Sequence, residues 1–116
     1  MNVKQFYLEV NGNYNNALSI MMNDILISKM LIKFISSDTL DQLVSLYEQK
    51  DYRSLFAAAH SLKGVAGNLA LTPLFEIASF ITEATRNEDG ANLDKEIEEV
   101  KKYQILLKEK YSLYLA

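Results

Sequence analysis

"FAAAHSLKGVAGNLALTP", residues 56–73, decides how this chain folds, because it carries one helix to its end and starts the next. Leu55, Ala59, Leu62, then Val65 or Ala66, and Leu69 recur every third or fourth position. That is the spacing of a helix with one apolar stripe, not the alternation of a strand. "LTP" then offers Thr72 as an N-cap and Pro73 at the first helical position, where a missing N–H costs nothing. The stretch also holds the only histidine of the chain, His60, with two of its four glycines, Gly64 and Gly67, within the next seven residues.

Working outward, the same period continues on both sides. Upstream, Asp51 is placed to cap the motif helix, and "LDQLVSLYEQK" carries Leu40, Leu43, Val44 and Tyr47 on one stripe after the cap-type residues "SSDT". Earlier still, Asn23 or Asp24 caps "DILISKMLIKFIS", which has almost no polar face and is expected to be covered on several sides, by its own domain or by a partner. "VNGNYNNALS" opens with a turn signal at Asn11-Gly12 and holds at most a short helix, about 14–20. The first ten residues suggest no element.

Downstream, Leu74, Ile77, Ala78, Ile81 and Ala84 form a stripe that runs to "NEDGAN", where Gly90 ends one helix and Asn92 caps the last. Leu93, Ile97, Val100, Leu107, Tyr111 and Tyr114 share a face of that final helix, and Glu98 and Lys102 are spaced for a surface ion pair. Four amphipathic helices, at about 38–50, 51–70, 73–88 and 92–115, are joined by short connections. They predict an all-α, antiparallel up-down-up-down four-helix bundle with one or two extra N-terminal helices. No repeat or linker divides residues 1–116, so a single domain is expected.

Composition narrows the function. The 116 residues are 49% apolar, enough for one core. Lys29 and Lys33 interrupt the most apolar run and the first residues lack a secretory signal, so a cytoplasmic protein with no membrane role is expected. Without cysteine and with one histidine, thiolate catalysis and the usual zinc cages are excluded. Twelve basic against fifteen acidic residues give no phosphate-tracking surface, so nucleic acid is not an expected partner.

Helical phase separates His60 from the core. Measured from the centre of the apolar stripe, Lys63 lies at about 80°, Phe56 at about 100°, Gly67 at about 120°, His60 at about 140° and Gly64 at about 180°. All five share an outward face. Each interior glycine costs a helix roughly 0.8 to 1 kcal/mol relative to alanine, a large concession in a domain of ordinary stability. On this face the two glycines give steric clearance beside the imidazole; close packing of another helix is the alternative. Phe56 begins a docking patch or is one of the scattered exposed apolar residues every protein has.

An exposed, neutral imidazole is a nucleophile near neutral pH, able to accept a phosphoryl group on nitrogen and release it again. Lys63, one turn on, can set an ammonium beside the phosphoryl oxygens. No triad or second metal ligand can be assigned around His60.

The string "AHSLKGVAGNLAL" resembles the signature of histidine-containing phosphotransfer (HPt) domains. His60, Leu62, Lys63, Gly64, Ala66, Gly67, Asn68 and Leu69 fit it in register, and the flanking helices extend the likeness over about 11–114. Ala70 departs from it, standing where the family commonly has glycine. The resemblance implies a phosphoryl carrier of a two-component phosphorelay, without kinase activity of its own. His60 would accept the group from a receiver-domain aspartate and pass it to another receiver, Lys63 would hold the phosphoryl oxygens, and Gly64 would make room for the receiver. Partners would be response-regulator receivers and a hybrid sensor histidine kinase. No cofactor would belong to this chain, since Mg2+ would be the receiver's, and a monomer is expected. The alternative is a helical bundle of the same shape that binds a receiver, or is purely structural, without carrying phosphate.

Overall fold

The computed structural model describes residues 1–89 and 92–116, so the helix stop expected at Gly90 lies outside the described residues. Seven helices are found among them: α1 (Val3–Glu9), α2 (Tyr14–Met21), α3 (Asp24–Ile35), α4 (Thr39–Glu48), α5 (Tyr52–Asn68), α6 (Thr72–Ala84) and α7 (Asp94–Tyr114). None is long and apolar enough to cross a membrane.

The last four build the bundle. α5 packs most closely on α6, α4 touches α5 and α7, and α6 touches α7, so the four close a ring of neighbours. Three residues join α4 to α5 and three join α5 to α6, which sets these sequential helices antiparallel. The stripes read from the sequence fill the middle: Leu43, Leu55, Leu62, Leu74, Ile81 and Leu107 are almost wholly removed from solvent. Burying a side chain of this kind stabilises by about 1.5 to 3 kcal/mol, and the stripes share a common core.

Helix ends differ from the sequence reading in ways with local causes. α5 ends in a pair of hydrogen bonds, Leu71 N–H to Ala66 O at 3.0 Å and Ala70 N–H to Gly67 O at 3.1 Å. This hydrogen-bonding pattern puts the residue after the cap, Ala70, in the left-handed region at φ 54°. The turn is so compact that Leu71, not Thr72, takes the N-cap position of α6, and Thr72 is already helical. α6 stops at Ala84 rather than near residue 88. There the Thr85 hydroxyl donates to Ile81 O at 2.7 Å. α7 starts at Asp94, with Leu93 at its N-cap, and Asn92 Oδ1 accepts from Asp94 N–H at 3.2 Å, just outside the helix. Along α7, Glu98 pairs with Lys101 at 3.8 Å, three residues on, and not with Lys102.

Three helices, rather than one or two, precede the bundle. α1 is the one missed: Val3, Phe6, Tyr7 and Val10 are spaced as a helical stripe and all are buried. α1 and α3 lie against α7, and α2 joins them. α3 is not covered on several sides. Ile27, Leu31 and Phe34 form a narrow buried stripe, while Ile25 is 63% exposed and Leu26, Met30 and Ile32 are also open. The helices that pack on α3, namely α1, α2 and α7, leave its other faces free.

Candidate functional site

α5 sets the site, and both of its ends are fixed. Asp51 Oδ1 accepts from Ser54 N–H at 3.2 Å at the start, and the Ala70 turn closes the end. Between them the seventeen-residue helix is held to the core by Leu55, Ala59, Leu62 and Ala66. The rotational position of every outward side chain is thereby determined.

The outward face divides into a ridge and a flank. His60 and Gly64, farthest from the core stripe by phase, are exposed, whereas Phe56, Lys63 and Gly67 are half-buried. A methyl group built on Gly64 would meet nothing within 4 Å, so the surface one turn beyond His60 is open. Gly67 is different. Its added carbon would touch the Phe75 ring at 3.4 Å, so the space it leaves is occupied by α6 rather than held open to a partner. Both sequence readings of the glycines therefore have a place, clearance at Gly64 and close helix packing at Gly67.

Along the flank, two aromatic rings each hold a cation. The Lys63 ammonium lies 5.8 Å from the centroid of Phe75 on α6. The Arg86 guanidinium lies 5.9 Å from the centroid of Phe56. Arg86 in turn donates to both oxygens of Glu83, Nη2 at 2.5 Å and Nε at 3.1 Å. That fork holds the Glu83 carboxyl below the usual range, with the Lys63 charge adding to it. Phe56 also stacks with His60: its ring and the imidazole are near parallel, 12° apart, with centroids 6.0 Å apart. Phe75, Glu83 and Arg86 were not singled out in the sequence. The spacing of three between Glu83, at the end of α6, and Arg86, in the turn after it, was the only local signal for any of them.

On the other side of the ridge the surface is apolar. Val65, 37% exposed, borders an open groove of about 620 Å³ lined also by Ile20, Leu26, Met30 and Phe34, with Lys33 as its one charged residue.

The bundle thus presents the His60 imidazole on an exposed ridge, with Lys63 on its flank and Arg86 over the ring of Phe56. The family model for the Hpt domain matches residues 32–110, and the chain belongs to that family. The match takes in the bundle but begins within α3, so α1 and α2 lie outside it, and the likeness is shorter than the span of 11–114 read from the sequence. No curated protein and no solved structure matches the chain. Hpt domains are histidine phosphotransfer modules of two-component phosphorelays; they interact with receiver domains and act generally as carriers rather than kinases.

Proposed function

We propose that His60 is the phosphoryl acceptor and donor of this domain, exchanging the group with receiver aspartates. The observation that carries the reading is the exposure of His60 beside the open surface of Gly64, on a helix whose phase is locked by its buried face. In the forward step the lone pair of the outer imidazole nitrogen attacks phosphorus. An N–P bond forms as the P–O bond to the aspartate breaks, the aspartate leaves as a carboxylate, and the other ring nitrogen keeps its proton. The reverse sequence loads the next receiver.

Lys63 supplies charge to the phosphoryl oxygens. Its ammonium rests over Phe75, a contact worth about 0.5 to 1 kcal/mol, small enough for a doubly negative phosphoryl group to draw it across. Gly64 admits the receiver's active-site edge, and the apolar groove that Val65 borders, on the other side of the ridge, offers the receiver an apolar seat. The magnesium ion used in the exchange belongs to the receiver, and this chain carries no cofactor and no kinase activity of its own. The setting is cytoplasmic, where receivers act.

Incubation with a radiolabelled phospho-receiver tests the proposal. Wild-type protein should take up acid-labile, base-stable label, His60→Gln should take up none, and Lys63→Ala should slow uptake while remaining folded. A His60→Gln variant that binds the receiver and is labelled as wild type would refute it.

A further inference from the structure

An imidazole on an exposed ridge has several side-chain rotamers open to it, and only some direct a nitrogen toward an incoming phosphorus. Hydrogen bonds usually settle such a choice, yet among the described residues none reaches the His60 ring. What does meet the ring is Phe56, one helical turn back, in the near-parallel stack described above. Phe56 is itself constrained. It is half-buried, and the guanidinium of Arg86 lies over it at 5.9 Å. Arg86 is oriented by its two-pronged bond to Glu83, which comes from the neighbouring helix and ties the series to the bundle.

We propose that Phe56 is a positioning residue for phosphoryl transfer. It holds the imidazole by stacking in the rotamer that presents its outer nitrogen, and Arg86, anchored by Glu83, holds Phe56 in place. The proposal rests on His60 being the acceptor, and it changes the meaning of Phe56: the ring's face is turned to the histidine and not wholly to a partner. A stack of this kind biases the imidazole toward one rotamer by about threefold to tenfold, which sets the size of the expected rate effect.

The experiment uses two phosphoryl donors and one spectroscopic readout. Phosphoramidate, a small donor that needs no docking surface, and a phosphorylated receiver are each given to wild type, Phe56→Leu, Phe56→Tyr, Arg86→Ala and Arg86→Lys. In parallel, the His60 ring protons are followed by NMR, where the face of Phe56 should shift them upfield. Phe56→Leu should slow labelling about threefold to tenfold with both donors and abolish the upfield shift. Phe56→Tyr should restore both. Arg86→Ala should weaken both by a smaller factor, and Arg86→Lys should come closer to wild type. Slowing with the receiver alone, and not with phosphoramidate, would assign Phe56 to docking and overturn the proposal. So would ring-proton shifts unchanged in Phe56→Leu, a readout that holds whether or not His60 is labelled. A wild-type protein labelled by neither donor would instead overturn the acceptor assignment, with the NMR comparison still deciding the stack.

Discussion

The outer face of α5 and the junction of α1 with α7 are built in opposite ways. At the junction, two buried tyrosines and a half-buried one make long-range polar ties. The Tyr7 hydroxyl donates to Leu69 O at 2.7 Å, the Tyr103 hydroxyl to Val10 O at 2.8 Å, and the Tyr114 hydroxyl to Glu9. Lys110 closes on Glu9 at 3.1 Å, and Asn13 N–H on Ala70 O at 2.9 Å. Around His60, among the described residues, there are only a stack, two cation–π contacts and an exposed ion pair, each worth on the order of 1 kcal/mol or less. Long-range hydrogen bonds are gathered at the junction, and the outer face of α5 is held by weaker contacts. Burial of polar groups accounts for the contrast. A buried hydroxyl left unpaired costs about 1 to 3 kcal/mol, so the junction must be completed internally, whereas an exposed imidazole can leave its bonds to solvent or to a partner.

The contrast is broken most severely at Gly64. Gly64→Trp should cut receiver-dependent labelling by on the order of a hundredfold by blocking the ridge, while leaving the fold intact. Gly64→Ala should stabilise the protein by about 0.8 to 1 kcal/mol through helix propensity alone, since its methyl meets nothing. Denaturation curves and labelling rates together check the pair; a destabilised Gly64→Ala would mean the surface is packed against something.

At the junction the sign reverses. A carbon added at Gly12 would lie 2.7 Å from the Tyr7 ring and 2.9 Å from Ala70 O, a backbone atom that cannot turn aside. Gly12→Ala should therefore destabilise by about 1 to 3 kcal/mol in urea unfolding and leave the His60 labelling rate unchanged. A smaller and opposite effect is expected next door. Ala70 holds a left-handed conformation that costs a non-glycine residue roughly 1 to 2 kcal/mol, partly offset by its buried methyl and by the flexibility glycine brings to the unfolded chain. Ala70→Gly should stabilise by less than about 1 kcal/mol, and a loss of stability would show that the methyl outweighs the strain.

The smallest effect is one of pH. The Tyr114 hydroxyl, then the Gln5 amide and the Lys110 ammonium, hold the Glu9 carboxyl at about 2, below its ordinary 4.5. Because the folded value is the lower one, this stabilisation is complete above the ordinary value and is lost as pH falls from about 4.5 toward about 2. Glu9→Gln should flatten the decline of stability over that window. Equal slopes in the two proteins would remove Glu9 from the account.

How far the sequence went follows the same division. The α5 phase needed only local periodicity and a count of 100° per residue, so the exposure of His60 and Gly64 was readable in advance. Even the half-burial of Phe56, Lys63 and Gly67 follows their smaller angles from the core. What lies against those three was not readable, because Phe75 and Glu83 arrive from α6 and Arg86 from the turn that follows it. The junction was less legible still: Tyr7 and Tyr103 find backbone carbonyls 62 and 93 residues away. α1 carried a helical spacing in Val3, Phe6, Tyr7 and Val10, but a helix of seven residues depends on tertiary packing rather than on local propensity. α3 misled for a physical reason. An apolar composition all round implies burial only where the fold supplies neighbours, and here one stripe has them and the rest does not.

The central claim is that the lightly held face of α5 carries the phosphoryl group on one atom. It is tested most directly by mapping the modified residue at neutral pH after exposure to a phosphorylated receiver. The group should lie on the imidazole of His60 and nowhere else. A phosphoryl group found on another side chain, or none on wild type from a receiver that readily loads other Hpt domains of the same cell, would contradict it.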